Sequence, residues 1–268
     1  MDAGPDLATI VSDLRATLPD LLVAVDFDGT LAPLVPDPEQ SRPAVGAVDA
    51  LTTLVELGAR VAVITGRDAR TVLRLGGLEQ VPGIAVAGVY GAETWHAGAL
   101  NTPDTPDVMA TLRERLPALL KNQHADPDVW IEDKRLSLVV HGRLAGDPEA
   151  ALDPLRVPVD DLAAELDLEV HAGSGVIELR LPGYDKAGAL RALVQAHTRG
   201  VLYLGDDLGD LPAFEQARQL RAQGLSAYSV GVLASGVAEI AEAADATVET
   251  STDAVALLRQ LAQPSASS

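Results

Sequence analysis

The chain has 268 residues, 20 Lys+Arg against 39 Asp+Glu, a formal net charge of −19, 47% hydrophobic residues and no cysteine. That length suits one large α/β domain, or a core with a smaller inserted domain, and the apolar fraction excludes global disorder. Lack of cysteine excludes disulfides, thiolate zinc sites and a cysteine nucleophile, while the acidic balance disfavours nucleic-acid backbones and anionic lipid surfaces.

Met1 to Leu7 is acidic where a signal peptide would be basic, and runs such as Leu21–Val25 are far shorter than a bilayer span. The expectation is a soluble, cytoplasmic protein. Leu7, Ile10, Val11, Leu14 and Leu18 form one apolar helical stripe. Leu21–Val25 is a continuous apolar run ending in Asp26, as in a strand buried on both faces of a parallel sheet. A helix from about Ala44 to Leu57 stops at Gly58, a natural residue for a helix end. Arg60–Thr65 reads as a second buried strand, followed by a helix from Asp68 and a strand Ile84–Ala87.

Between about Pro106 and Leu181 the rhythm breaks. Leu136, Leu138 and Val140 face one way while Ser137, His141 and Arg143 face the other; Ile177, Leu179 and Leu181 likewise oppose Glu178 and Arg180. Such strands belong to a sheet covered on one face only, and a helix at about Pro148–Leu166 can supply the cover. The α/β alternation then resumes with helix Lys186–His197, strand Val201–Leu204, a helix from Leu211, strand Tyr228–Val232 and helix Ala254–Leu261, before a polar tail, Gln263–Ser268, that reads as frayed. The fold class expected is α/β: a doubly wound, Rossmann-like parallel-sheet core (1–105 and 182–268) with an inserted α+β cap (106–181).

Chemistry gathers at strand ends. Asp26-Phe27-Asp28-Gly29-Thr30 follows the first strand and places two carboxylates at the usual ligand edge of a parallel sheet. Alone, Asp28-Gly29 is equally an ordinary turn. Thr65-Gly66-Arg67 ends the second strand with a hydroxyl and a guanidinium able to hold an anion. Lys186 opens a helix, where a cation opposes the macrodipole; the alternative is a solvated lysine behind the cap residue Asp185. Gly205-Asp206-Asp207-Leu208-Gly209-Asp210 puts a second acidic cluster at a strand end. Two such clusters read as a hard-cation site, and oxygen ligands without Cys or clustered His favour Mg²⁺.

In order and spacing, Asp26-x-Asp28-Gly29-Thr30, Thr65, Lys186 and Gly205-Asp206-Asp207 resemble the four motifs of the haloacid dehalogenase superfamily. The chain is similar within it to trehalose-6-phosphate phosphatases, through Leu31-Ala32-Pro33-Leu34, Tyr90-Gly91-Ala92-Glu93, Ile131-Glu132-Asp133-Lys134, His141-Gly142-Arg143 and Glu178-Leu179-Arg180. It departs at Lys186-Ala187-Gly188, where the family often has Lys-Gly, and at Leu208-Gly209-Asp210-Leu211, where it often has Thr-Asp-Glu.

The resemblance implies Asp26 as nucleophile, Asp28 as general acid and base, and Thr65 and Lys186 on the phosphoryl oxygens. It also implies Mg²⁺ on Asp26, the Asp28 carbonyl and Asp206, with Asp207 and Asp210 in support. Arg67, Glu132, Lys134, Arg143, Glu178 and Arg180 become candidates for substrate binding. Aromatic residues make up only 3% of the chain, so ring stacking is restricted to Trp130 or Trp95. The partner implied is a small-molecule sugar phosphate, with no nucleic acid and no membrane, bound by a monomer or weak homo-oligomer. Three readings compete: a phosphatase of another sugar phosphate or small phosphate ester, a non-catalytic regulatory domain of the same fold, and a non-hydrolytic relative, a mutase or a dehalogenase, the last of which Asp28 argues against.

Overall fold

The computed structural model describes residues 4–102, 104–173 and 175–263. The chain divides into two compact units, Met1–Thr102 with Asp185–Ser268, and Pro103–Tyr184.

The larger unit is an eight-stranded sheet between two helical layers. Helix α1 (Leu7–Arg15) starts at Asp6, whose carboxylate accepts the Thr9 N–H at 2.8 Å, and it buries Ile10, Val11 and Leu14. Leu18, the last residue of the expected stripe, lies beyond the helix because Pro19 disfavours helical backbone at the residue before it. There follow β1 (Leu21–Val25), α2 (Ala47–Glu56), β2 (Arg60–Ile64), α3 (Ala69–Gly76), β3 (Ala85–Gly88), β4 (Glu93–His96) and β5 (Ala99–Asn101). After the second unit come α6 (Lys186–Leu193), β10 (Gly200–Gly205), α7 (Leu211–Ala222), β11 (Ser226–Val232), α8 (Ala238–Ala243), β12 (Ala246–Val248) and α9 (Ser251–Ala262). The strand order is β12-β11-β10-β1-β2-β3-β4-β5, parallel from β12 to β3 and antiparallel at β4 and β5.

β1 is buried at all five positions because both of its faces are covered. Val23 and Val25 join the core under α1, α2 and α9, while Leu22 and Ala24 face the core built with α6 and α7. Two helices are shorter than the sequence expectation: α2 begins at Ala47, after Gly46 at φ +81°, and α6 stops at Leu193, where Val194 turns extended and Thr198 Oγ1 accepts the Gln195 N–H at 3.0 Å. The hairpin β4–β5, which the sequence reading did not include, turns through Ala97 and Gly98, both at positive φ.

The smaller unit holds α4 (Asp107–Asn122), β6 (Trp130–Asp133), β7 (Ser137–His141), α5 (Pro148–Glu165), β8 (Glu169–Gly173) and β9 (Val176–Arg180). Its antiparallel sheet runs β6-β7-β9-β8. Leu138, Val140, Ile177 and Leu179 pack with Met109, Leu112, Leu116 and Leu120 of α4 and Leu152, Leu155 and Val159 of α5. Helix α4 escaped the sequence reading although those four residues recur at spacings of three and four; Pro117 inside it reads as a breaker.

The register places Trp130 and Glu132 of β6, Ser137, Val139 and His141 of β7, Glu178 and Arg180 of β9, and Glu169 and His171 of β8 on the opposite, polar face. That face was expected to be open: Trp130 and His171 are exposed on it, whereas Ser137, His141, Glu178 and Arg180 are buried, with Ser137 Oγ donating to Glu178 Oε1 at 2.7 Å. Of the polar tail, Pro264–Ser268 lie outside the described residues. Among the described residues, no helix is long and apolar enough to cross a membrane.

Candidate active site

β1 has β2 on one side and β10 on the other, so successive strands run away from it in opposite directions. In an open α/β sheet this switch point leaves a crevice at the strand carboxyl ends. Asp26 leaves β1 there, its N–H donating to the Leu204 carbonyl at 2.9 Å, and Asp206 leaves β10 beside it. One carboxylate oxygen from each of Asp26, Asp206 and Asp210 lies within 4.8 Å of the others, and all three residues are buried. Gly29 makes this approach feasible: it sits at φ +81°, and a Cβ there would overlap the Asp206 carboxylate. Thr30 next to it donates its hydroxyl to Asp206 Oδ1 at 3.0 Å.

Lys186 enters the same space from the first residue of α6. Asp185 caps that helix through the Gly188 N–H at 2.6 Å, which leaves Lys186 as its ordered companion and not a solvated side chain. Lys186 is 3% exposed, with its Nζ at 2.7 Å from Asp210 Oδ1, 3.2 Å from Asp26 Oδ1 and 3.6 Å from Asp207 Oδ1.

The organising residue is Asp210, in the loop where the chain departs from the motif. Its Oδ1 accepts from Lys186 and from the Tyr203 hydroxyl at 2.5 Å; its Oδ2 accepts the backbone N–H groups of Asp206 at 3.0 Å and Asp207 at 3.1 Å. Gly205 permits this, because a Cβ there would overlap the Asp210 carboxylate. Tyr203 was not singled out from the sequence. The available signal was a hydroxyl-bearing residue within an otherwise apolar strand, which must find a partner when fully buried.

The electrostatics follow from four carboxylates around one ammonium. Burial pushes the Asp26 pKa well up; Lys186 opposes this, while Asp210, Asp207 and Asp206 add to it. Burial, with Asp210 and Asp207 nearby, pushes Asp206 up to about 7. For Lys186 burial works against the charge, but Asp210, Asp26 and Asp207 outweigh it and hold its pKa well above the usual lysine value. Asp207 also resists burial and is lowered, chiefly by Lys186. A second cation relieves this imbalance, and the donors are all oxygen, the set a hard divalent ion takes. Both Asp210 oxygens already accept two hydrogen bonds each, which leaves Asp26 and Asp206 as the better-placed carboxylate ligands.

Asp28 does not join this cluster by its side chain. Its carboxylate accepts from Arg67 Nε at 2.5 Å, from Arg67 Nη2 at 2.8 Å and from the buried Ser41 hydroxyl at 2.9 Å. Since β1 ends at Val25, Asp26 and Asp28 do not share a strand face as a continued strand would have it. The Asp28 hydrogen bond raises the Arg67 pKa further, against a smaller desolvation penalty. Thr65 is buried at the end of β2, its Oγ1 accepting the Arg67 N–H at 3.1 Å.

The other substrate-binding candidates named from the sequence, Glu132, Lys134, Arg143, Glu178 and Arg180, lie in the smaller unit. Lys134 Nζ is 3.9 Å from both Glu132 and Glu178, and His141 Nε2 lies 2.9 Å from Glu132 Oε2. The His141 hydrogen bond is the main cause holding the Glu132 pKa below its usual value. Arg180 Nε is 3.5 Å from Glu169 Oε2. Arg143, expected in register with Ser137 and His141, is exposed in the turn after β7, which stops at His141.

A trehalose-phosphatase family model matches residues 24–249. The chain is 33% identical over 230 residues to a trehalose-phosphate phosphatase of Mycobacterium leprae, covering 81% of this chain and 52% of that protein. It thus spans about half the length of the curated relatives it matches. A solved trehalose-6-phosphate phosphatase related protein is 26% identical with a TM-score of 0.68, covering 89% of this chain and 95% of that one. The C-terminal domain of trehalose-6-phosphate phosphatase from C. albicans shares the fold at 21% identity, with a TM-score of 0.74 over 98% of this chain and 99% of that one.

Proposed function

The chain belongs to the trehalose-phosphatase family, and from that premise we propose that it is a Mg²⁺-dependent phosphatase that hydrolyses trehalose 6-phosphate to trehalose and phosphate. The observation that carries the reading is Asp26, buried at the sheet's switch point with Lys186 Nζ at 3.2 Å. It is a carboxylate oriented by a fixed cation, where an incoming phosphoryl group needs both a nucleophile and positive charge.

Asp26 attacks phosphorus in line. A bond forms from its carboxylate oxygen to phosphorus, the bond from phosphorus to the sugar oxygen breaks, and the departing alkoxide takes a proton from the Asp28 carboxyl group. Water then attacks the aspartyl-phosphate, passes a proton to Asp28, and the bond from phosphorus to Asp26 breaks. Lys186 and the Thr65 hydroxyl hold the non-bridging phosphoryl oxygens, and Asp210 and Asp207 keep Lys186 in place. Arg67 and Ser41 hold the Asp28 carboxylate in place for these transfers, and its Oδ2, which takes one of the three hydrogen bonds, keeps a lone pair for the proton. Asp26, the Asp28 carbonyl and Asp206 would hold Mg²⁺, which would supply positive charge to offset that of the transferring group. Glu132, Lys134, Glu178, Arg180 and Arg143 read the sugar hydroxyls, and 106–181 serves as the specificity cap on a catalytic core of 1–105 and 182–268.

The test is phosphate release with Mg²⁺ from trehalose 6-phosphate, glucose 6-phosphate and phosphoglycolate, with Asp26→Asn as control. Strong preference for the disaccharide, abolished by chelator and by the substitution, is the expected result. Comparable turnover of all three removes the trehalose assignment. No release from any of them removes the phosphatase.

A further inference from the structure

Trp130 is the anomaly of the smaller unit. It lies on the polar face of the sheet, in edge strand β6, and is 42% exposed, the one aromatic among the exposed large apolar side chains of the described residues. It is nevertheless ordered by its neighbours. Its ring stacks on the His141 imidazole, centroids 4.1 Å apart and planes within 6°, and the cross-strand register pairs the same two residues. The imidazole is itself held by Glu132 Oε2 at 2.9 Å. One face of the indole is thus backed by a buried ring that is anchored to a carboxylate.

Around it stand the groups that hydrogen-bond to hydroxyls: Glu132 beside Trp130 on β6, and Glu178 two strands away, each 3.9 Å from Lys134 Nζ. The Ser137 hydroxyl fixes Glu178 as His141 fixes Glu132. A pyranose presents equatorial hydroxyls at its rim and a flat patch of C–H groups on its face. A site for it therefore needs carboxylates and ammonium groups at the edge and an aromatic plane below. This sheet face supplies both, whereas a surface built only for solubility has no use for a stacked, half-exposed indole.

We propose that Trp130, backed by His141, is the stacking platform for a pyranose ring of the substrate and a determinant of sugar specificity. This rests on the sugar-phosphatase reading above. Trp130 touches the sugar; His141 is a positioning residue, acting through the indole and Glu132.

The experiment compares Trp130→Ala, Trp130→Phe and His141→Ala with the unaltered chain, using trehalose 6-phosphate and acetyl phosphate as substrates. Trp130→Ala is expected to raise KM for the sugar phosphate about tenfold, the size of one lost aromatic contact, with kcat within about twofold. It leaves the kinetics of acetyl phosphate, which has no ring to stack, unchanged; Trp130→Phe recovers most of the affinity. His141→Ala raises KM for the sugar phosphate alone. Titration of a Trp95→Phe chain with phosphate-free trehalose reads Trp130 directly, since these are the two tryptophans of the chain, and a saturable fluorescence change is expected. Unchanged KM, or an equal loss on both substrates, overturns the proposal. A flat titration also overturns it when trehalose 6-phosphate is turned over normally. If the unaltered chain does not hydrolyse trehalose 6-phosphate, it is the functional reading that fails, and the fluorescence titration, repeated with glucose, still decides whether the indole binds a pyranose.

Discussion

Replacing Asp210 by Asn probes the buried network with the least change in shape. Asp210 accepts four hydrogen bonds, from Lys186, Tyr203 and two backbone N–H groups, and its side chain is fully buried. An amide offers one acceptor oxygen and one donor group. If the oxygen keeps the two backbone N–H groups, the NH₂ faces Lys186 Nζ and the Tyr203 hydroxyl, donor against donor. Removing one partner of a buried ion pair costs about 3–5 kcal/mol. Lys186 retains Asp26 at 3.2 Å, and the loss of one carboxylate relieves its repulsion of Asp206, so the lower end, about 3 kcal/mol, is expected. Asp207→Asn removes a partner at 3.6 Å whose side chain is 58% exposed, and costs less than about 1 kcal/mol. Equilibrium urea unfolding of both variants in chelator, with m-values compared, measures the difference. If Asp210→Asn lies within about 1 kcal/mol of the unaltered protein, or if the two substitutions cost the same, the assignment of Asp210 as the organising acceptor is wrong.

Three further outcomes follow from the same geometry. The Asp206 pKa lies near 7 in the folded, metal-free protein against 3.8 unfolded, so between those values the folded state binds the extra proton and stability falls as pH rises; thermal unfolding from pH 4 to 8 should show this loss, with Asp206→Asn flattening it and Mg²⁺ offsetting it, and an identical slope in the variant contradicts it. Arg67→Ala leaves Asp28 with Ser41 as its remaining donor among these contacts; kcat for sugar-phosphate hydrolysis is expected to fall on the order of 10²-fold, as for a displaced catalytic group, and unchanged steady-state kinetics contradicts that role. Leu155→Ala opens a cavity at a fully buried position between α5 and its sheet and should cost about 2–5 kcal/mol by denaturant titration, with a loss below 1 kcal/mol refuting its place in that core.

Much of the fold was legible because burial leaves a direct trace in sequence. β1, β2 and β10 are apolar runs flanked by acids, hydroxyls or glycine, and covering both faces of a parallel strand requires that pattern. Elements lacking a strong period were not: β4, β5, α8 and β12 are six residues or shorter, and α4 is masked by Pro117. The candidate site divides similarly. Asp26, Asp28, Thr65, Lys186 and Asp206 stand at strand or helix ends, where local chain position already suggests chemistry.

The sequence alone determined which residue types reach the ligand edge of the sheet, since strand ends and glycine turns are local properties of the chain. Only the tertiary structure decided how those groups divide among partners. It gave Asp210, with Tyr203, the task of fixing Lys186, paired the Asp28 carboxylate with Arg67 and Ser41 instead of Asp26, and set His141 beneath Trp130. The physical reason is range: hydrogen bonds and ion pairs are settled within about 3 Å, between groups that the chain separates by 39 positions in the case of Asp28 and Arg67 and by 176 in that of Thr30 and Asp206, and spacing along the sequence carries no such distance.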